Sequence, residues 1–211
     1  MASPLIKAGA VKAGAVKDGR RLRSAQSRDR VADALLALLR EGRTRPSADE
    51  VAARAGVSRR TLFNQFNQLG DLFGDLHKRQ LNDVRAAMPK IPTHGTLPQR
   101  LAKYITEYVV VLESVAPVRI AGLSFDGAPR ERTQLRRSIN EVQAVLSAGP
   151  IALLREAGVV LSRDRLAVLK ALLDPVTYQG LRMQQGLSRP RARQVLVEGV
   201  LALASTKGSA K

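Results

Sequence analysis

One short segment carries polar residues of the types that read the edges of DNA bases: Arg59, Arg60, Thr61, Asn64 and Gln65. Arginine can form paired hydrogen bonds to guanine, and asparagine or glutamine can form them to adenine. Leu62 and Phe66 recur at helical spacing and are expected to face inward, which leaves the polar side chains on the outer face. We therefore predict a short helix that enters the major groove of DNA.

The residues before this helix predict a helix-turn-helix. Ser47 and Glu50 have the spacing of a capping box, in which the serine hydroxyl accepts a free backbone N–H and the glutamate reaches back. Gly56 suits a left-handed turn, Val57 is expected to fill the angle between the helices, and Ser58 can cap the second helix. The alternative is a tight helical hairpin within a bundle, but a basic and polar outer face favours DNA binding.

This segment resembles the DNA-binding domain of TetR-type transcriptional regulators over about residues 28–73. The matching pattern is Gly42-x-x-x-Pro46-Ser47-Ala48-x-Glu50-Val51-Ala52-x-x-Ala55-Gly56-Val57-Ser58-x-x-Thr61-Leu62-Phe63-x-x-Phe66. The resemblance implies an N-terminal three-helix DNA-binding domain and a C-terminal helical domain that binds a small molecule and forms a homodimer through its last two helices. It implies DNA contacts by Ser47, Ser58, Arg59, Arg60, Thr61, Phe63, Asn64 and Gln65.

Three positions depart from the pattern of that family. Phe63 stands where the family usually has tyrosine, Leu69 replaces a lysine, and Asn67 replaces a common proline. The first two changes remove contacts to DNA phosphates that position such a domain on the duplex.

Residues 1–26 are predicted to form a flexible basic arm. Three degenerate five-residue repeats begin at Ile6, Val11 and Val16, each with lysine second and glycine fourth. Frequent glycine and excess positive charge disfavour packed structure. Either the arm contacts DNA or it serves only as a solubility tail. The residues proposed to contact DNA are Lys17, Arg20, Arg21 and Arg23.

Apolar residues at spacings of three and four predict an all-α chain of roughly nine helices, with no strand. After the arm, ten helical segments are expected, two of which only flank a break at residues 149–150. They lie at about 28–41, 48–55, 58–66, 71–88, 97–114, 117–125, 129–149, 151–157, 163–185 and 188–205. The sequence predicts a break at Gly149-Pro150 and a kink at Pro175. The predicted domains are the arm (1–26), a DNA-binding domain (27–73) and a helical ligand-binding and dimerisation domain (74–211).

The C-terminal domain offers candidates for a ligand pocket among its few aromatic residues and their neighbours. The residues proposed to line the pocket are Tyr104, Tyr108, Val111, Phe125 and Tyr178. Aliphatic walls with phenol groups could orient a small-molecule effector. The alternative, which the apolar character of these helices favours for any single residue, is that they are core residues. Arg119 and Arg182 lie on otherwise apolar helices and could meet an anionic ligand or simply face solvent.

Two apolar stripes near the C-terminus are candidates for a dimer interface. The residues of the stripes are Leu166, Leu169, Leu173 and Val176, and then Ala192, Leu196, Val200 and Leu203. Such stripes can pack with their symmetry mates as a four-helix interface. Alternatively, they complete the core of a single chain.

Composition and missing motifs narrow the classes of function that remain for this chain. The 211 residues carry 35 Lys and Arg against 18 Asp and Glu, a formal charge of +17, so a polyanion is the first partner to consider. Cysteine is absent and the two histidines, His77 and His94, lie far apart, so no metal site or cofactor is expected. Catalytic motifs such as G-x-S-x-G and the P-loop are missing, which argues against an enzyme. Without a long apolar run or a readable signal peptide, the expected location is the cytoplasm.

The sequence therefore predicts a homodimeric repressor that leaves a palindromic operator when it binds a small-molecule effector. The alternative is an architectural protein that coats DNA with weak sequence specificity, because net charge alone cannot separate the two. The ratio of specific to random DNA binding distinguishes them.

Overall fold

A computed structural model describes the backbone of residues 9–205 and the side chains of residues 24–68 and 70–205. Over residues 9–205 the chain is helical and contains no strand. The helices are α1 (Gly9–Arg40), α2 (Ala48–Ala55), α3 (Arg59–Gln65), α4 (Leu69–Ala87), α5 (Leu97–Leu123), α6 (Pro129–Glu156), α7 (Arg163–Leu172), α8 (Pro175–Gln179) and α9 (Arg189–Ser205). A π-helical turn, Gly180–Gln184, follows α8.

The chain divides into two compact units after Leu72, within α4. In the first unit, α1 packs against α2 and α3. Val31 and Leu35 of α1, Val51 of α2, and Leu62 with Phe66 at α3 are all buried and form the apolar interior of this unit. Burial of these side chains is the main stabilising contribution to the three-helix arrangement.

The start of α1 corrects the prediction for the N-terminal segment. Instead of a flexible arm up to residue 26, the backbone is helical from Gly9, and residues 1–8 lie outside the described part. Glycine disfavours a helix by about 1 kcal/mol relative to alanine. However, alanine recurs in the same repeats, no proline interrupts them, and extending an existing helix needs no new nucleus. The predicted stop at Gly42 is confirmed: φ is 89° there, and the N–H of Arg43 donates to the carbonyl of Leu38 at 3.0 Å.

In the second unit, α5 packs against α6, α8 and α9. Its core includes Leu101, Ile105 and Leu112 of α5, which are fully buried, together with apolar residues of α6, α7 and α9. None of the helices in residues 9–205 combines the length and apolar character that a bilayer crossing requires.

Two predicted helix breaks in this unit are wrong. The expected end near Ser114 does not occur, because α5 continues through Pro117; α6 likewise continues through Pro150. A proline inside a helix removes a backbone hydrogen bond. Val115 and Val118 are buried on either side of Pro117, so packing of the continuous helix offsets that loss. Gly149 does not break α6, but no larger residue fits at this position. A Cβ there would lie 2.0 Å from the Tyr104 hydroxyl oxygen.

The prediction for Pro175 is also corrected. The chain does not form one kinked helix over residues 163–185; α7 ends at Leu172 and Pro175 is the first residue of α8. The Asp174 Oδ1 atom accepts the N–H of Val176 at 2.8 Å and caps α8. Proline is favourable at a first helical position because its missing N–H would have no partner there.

Candidate nucleic-acid interface

The N-terminus of α2 is fixed by the predicted capping box. The Ser47 hydroxyl oxygen accepts the N–H of Glu50 at 3.2 Å, and the Ser47 N–H donates to the Glu50 carboxylate at 2.8 Å. Hydrogen bonds from the backbone and side chain of Ser47 lower the pKa of Glu50. The hydroxyl of Ser47 is exposed but already serves the cap, so its predicted contact with phosphate would add to a structural role.

The turn between α2 and α3 also follows the prediction. Gly56 adopts φ 64° and ψ 37°, a left-handed conformation that favours glycine, and the N–H of Val57 donates to the Ala52 carbonyl at 3.0 Å. The Ser58 hydroxyl oxygen accepts the N–H of Thr61 at 3.1 Å, and the two hydroxyl oxygens lie 2.9 Å apart. Ser58 and Thr61 are therefore capping residues that hold the start of α3.

The orientation of α3 is set by its apolar residues. Leu62 and the following Phe66 are buried, whereas Arg59, Arg60 and Asn64 are exposed. Three side chains with base-reading chemistry thus lie on the face directed away from the core of this unit. The sequence predicted this outward orientation for Arg59, Arg60 and Asn64.

Arg59 contacts two neighbours on the surface of its own unit. Its Nη1 atom lies 2.8 Å from the Asp49 carboxylate of α2, and both side chains are more than half exposed. Its guanidinium also lies over the Phe63 ring, 5.5 Å from the ring centroid. Phe63, which lacks the expected tyrosine hydroxyl, therefore provides a surface on which Arg59 stacks.

Gln65 differs from the prediction. It is half-buried, and its side-chain oxygen accepts the Ser24 hydroxyl of α1 at 3.0 Å. The Arg28 guanidinium lies 4.5 Å from the centroid of the Phe66 ring and donates to the Gln65 carbonyl at 3.4 Å. Contacts at the end of α3 therefore hold Gln65 against α1 instead of leaving it on the outer face.

Sequence reasoning missed two exposed arginines beside the motif. Arg43 and Arg45 lie in the loop that precedes the Ser47 cap, and Arg43 Nη2 is 3.9 Å from the Glu50 carboxylate. The available signal was their position: two cations immediately before a helix N-terminus, where phosphate groups bind favourably. The proposed arm contacts Lys17, Arg20, Arg21 and Arg23 belong to α1, but their side chains lie outside the described residues.

Four of the five residues predicted to line a ligand pocket belong to the core of the second unit. Tyr104, Tyr108, Val111 and Tyr178 are buried there. The Tyr108 hydroxyl donates to the Leu173 carbonyl at 2.9 Å, and the Tyr178 hydroxyl lies 3.1 Å from Glu113 Oε1. Desolvation raises the pKa of Tyr104 to about 12 and that of Tyr108 well above its usual value.

Phe125 is different because it lines a cavity of about 590 Å³. Its ring packs against Phe73, with 5.3 Å between the centroids. Of the two predicted anion partners, Arg119 also lines this cavity, whereas Arg182 donates to the Leu187 carbonyl.

The apolar stripes expected at a dimer interface mostly complete the core of the chain itself. The fully buried members are Leu169, Leu173, Ala192, Leu196 and Val200. The others, Leu166, Val176 and Leu203, are half-buried. The five fully buried residues therefore belong to the core of the chain, as the alternative interpretation of the stripes expected, and are not available at a surface. An exposed apolar strip of α7 lies elsewhere on that helix, at Ala167, Val168 and Ala171.

No protein-family model matches the chain, and no curated protein matches it in sequence. Solved structures match it in fold. A transcriptional regulator from Rhodococcus sp. Rha1 superposes with a TM-score of 0.64 at 18% identity, covering 83% of this chain and 95% of that one. A TetR-family regulator from Streptomyces coelicolor gives a TM-score of 0.64 at 20% identity, covering 85% and 80%. A TetR-family regulator from Marinobacter aquaeolei VT8 gives 0.55 at 18% identity, covering 84% and 88%.

The chain therefore has the architecture of a helix-turn-helix regulator: three N-terminal helices with a capped second and third helix, followed by a larger helical region. More narrowly, it has the fold of the TetR-family transcriptional regulators. The resemblance read from residues 28–73 is confirmed by several neighbours that carry this family's name. The all-α fold class predicted from the sequence is confirmed as well.

Proposed function

We propose that this protein is a TetR-type transcriptional regulator that binds DNA through α3. The observation that carries the proposal is the exposed set Arg59, Arg60 and Asn64 on a helix whose opposite side is anchored by Leu62 and Phe66. An exposed helix of this size and chemistry fits the major groove, where arginine and asparagine can distinguish base pairs. The match in fold to a TetR-family regulator, which covers 85% of this chain, supports this reading.

In this proposal, the rest of the motif positions α3 on the duplex. Arg43 and Arg45 lie close in sequence to the N-terminus of α2 and would contact phosphates together with Ser47. They would replace the contacts to DNA phosphates that the family usually makes at the positions of Phe63 and Leu69. The basic segment of α1 would add further electrostatic attraction.

We further propose that the protein acts as a homodimer. A palindromic operator requires two copies of α3 that reach successive major grooves, about 34–36 Å apart. The interface would use the outer strip of α7, at Ala167, Val168 and Ala171, beside α9. Val168 is 53% exposed in the single chain, so burying it against a second copy would be favourable.

The regulatory role would be repression, relieved by a small-molecule effector bound in the second unit. Effector binding would favour a dimer in which the two copies of α3 no longer match successive grooves. Such a shift requires the effector to bind the released conformation more tightly than the DNA-bound one. Like other DNA-binding regulators of this kind, the protein would act in the cytoplasm.

The decisive experiment is selection of binding sites from random DNA with the full-length chain, followed by footprinting. A regulator should yield a two-fold symmetric consensus that binds about 10³-fold or more tightly than random DNA at physiological salt. A protein that coats DNA would yield no consensus, and that result would contradict the proposal.

A matched pair of variants links the result to α3. Arg59→Ala with Arg60→Ala should abolish the preference for the consensus. Arg130→Ala with Arg137→Ala removes the same charge from exposed positions of α6 and should leave the preference intact. Equal effects of the two pairs would show that α3 contributes only general charge.

A further inference from the structure

The second unit contains a cavity whose walls come from the C-terminal end of α5, the first half of α6 and the segment between them. Its volume of about 590 Å³ lies within the range of small-molecule sites. The lining residues include an apolar group and a basic group. They are Leu123, Phe125, Leu135, Ile139, Arg119, Arg132 and Arg136, with Gly122, Pro129, Thr133 and Asn140 completing the wall.

The basic group leaves positive charge uncompensated at the rim. Arg119 is paired with Asp174, whose Oδ2 atom lies 2.8 Å from the guanidinium. Arg132 and Arg136 are exposed and lie four residues apart on α6, an arrangement in which like charges repel. No carboxylate lines the cavity. Glu131, next to Arg132 in sequence, is engaged in the helix cap because its carboxylate accepts the N–H of Ala128 at 2.7 Å.

The apolar group is accessible from the same cavity. Leu123 is 60% exposed, a large fraction for a leucine at the end of a packed helix. Phe125 is held in place by its contact with Phe73, and Ile139 lies deeper on the α6 side. A ligand that covered Leu123 and Phe125 would remove this apolar surface from water.

We propose that this cavity binds a small molecule that carries one anionic group, such as a carboxylate, sulfonate or phosphate, joined to an apolar part. Arg132 and Arg136 bind the anion, and Leu123, Phe125 and Ile139 contact the apolar part. Its role as the effector site rests on the proposed regulatory function; the binding itself does not. Arginine suits this task because its N–H groups match the geometry of carboxylate and phosphate oxygens.

The test uses the full-length protein without DNA and an anionic fluorescent probe, 8-anilinonaphthalene-1-sulfonate, with competition by decanoate, decanol and inorganic phosphate. The proposal expects saturable probe binding and displacement by decanoate. Decanol should compete about tenfold more weakly or worse, because it lacks the charge, and phosphate should compete poorly, because it lacks the apolar part. Absence of probe binding, or equal competition by decanol or phosphate, would overturn the proposal.

Two double variants locate the site. Arg132→Gln with Arg136→Gln should weaken probe and decanoate binding about tenfold or more. Arg130→Gln with Arg137→Gln, exposed on the same helix but outside the cavity lining, should change it less than about twofold. Equal losses in both variants would show a general charge effect and refute the site.

DNA affinity measured on the same variants separates this inference from the proposed function. If Arg132→Gln with Arg136→Gln left probe binding unchanged but impaired DNA binding more than the control pair did, these arginines would contact DNA and the small-molecule site would be wrong. Probe binding at the cavity without any DNA consensus would leave the site intact and refute only the regulator. A DNA consensus without probe binding would refute the small-molecule site and leave the proposed regulator intact.

Discussion

The Arg59 guanidinium of α3 lies 2.8 Å from the Asp49 carboxylate of α2, and both side chains are more than half exposed. An acidic group thus neutralises one of the cations that would meet DNA. Since an exposed ion pair contributes little to stability, DNA phosphates and bases can compete for Arg59.

Replacing Asp49 with Asn should therefore strengthen DNA binding. Loss of the carboxylate frees Arg59 and removes repulsion of phosphate, so we expect affinity to rise ~2- to 5-fold for consensus and random DNA alike. Titration of labelled duplexes by fluorescence anisotropy measures both affinities. Weaker binding to the consensus alone would instead show that Asp49 orients Arg59 for base recognition.

Single alanine substitutions on α3 should lower sequence preference. Replacing a base-reading residue among Arg59, Arg60 and Asn64 should cost ~1–3 kcal/mol of binding free energy and relax specificity at one operator position. Competition against a panel of single-base operator variants identifies that position. Wild-type affinity and preference in all three variants would exclude α3 as the reading helix.

The basic N-terminal segment should contribute through charge rather than sequence recognition. Deleting residues 1–23 removes Lys7, Lys12, Lys17, Arg20, Arg21 and Arg23 while retaining Ser24 and Arg28, which contact the end of α3. Each lost phosphate contact lowers the slope of log K against log salt by ~0.9, so the slope should fall by a few units. The consensus should not change. If the slope stayed the same, the segment would have no contact with DNA phosphates.

Charged substitutions should separate the proposed dimer interface from the core. Val168→Glu on the outer strip of α7 should weaken association about tenfold or more, because the charge would be buried between copies. Val160→Glu, in the exposed loop before α7, should not. Leu196→Lys should instead destabilise the fold by ~3 kcal/mol or more, since Leu196 is buried in the core.

Sedimentation and thermal melting distinguish these outcomes. Sedimentation should show a dimer for the wild type and for Val160→Glu, and a folded monomer for Val168→Glu. A wild-type protein that sediments as a monomer at micromolar concentration would contradict the dimer.

The buried His77 should make stability depend on pH. Its Nδ1 atom lies 2.8 Å from the Phe73 carbonyl oxygen, while its Nε2 atom is buried without a partner. Desolvation chiefly lowers the pKa of His77; the Phe73 hydrogen bond raises it, and nearby Arg119, which is paired with Asp174, lowers it further. The unfolded chain therefore takes up a proton more readily than the folded one below about pH 6.5.

Stability should consequently fall as the pH drops from 7.5 towards 5. His77→Leu, which cannot titrate, should show a smaller fall in melting temperature over the same range. His94→Gln changes an exposed position and should behave like the wild type. An identical pH dependence for His77→Leu and the wild type would assign the effect to other groups.

The local signals in the sequence were sufficient for the helix-turn-helix. Ser47 with Glu50, Gly56 and Ser58 act within a few residues of one another, so the caps and the turn follow from residue type and spacing. The outward orientation of Arg59, Arg60 and Asn64 followed from the helical period and the apolar character of Leu62 and Phe66. The ends of α1 at Gly42 and of α4 before Pro89 were predictable for the same reason.

Tertiary structure decided what depends on contacts distant in sequence. Pro117 and Pro150 lie inside continuous helices because burial of their neighbours outweighs a lost hydrogen bond, which no local pattern reveals. Helical period shows that Tyr104, Tyr108 and Leu196 share faces with other apolar residues, but not whether those faces meet a ligand, a second copy or the chain's own core. Packing places all three in the core, and it brings the end of α5 beside the start of α6, where Arg132, Arg136 and Phe125 line one cavity.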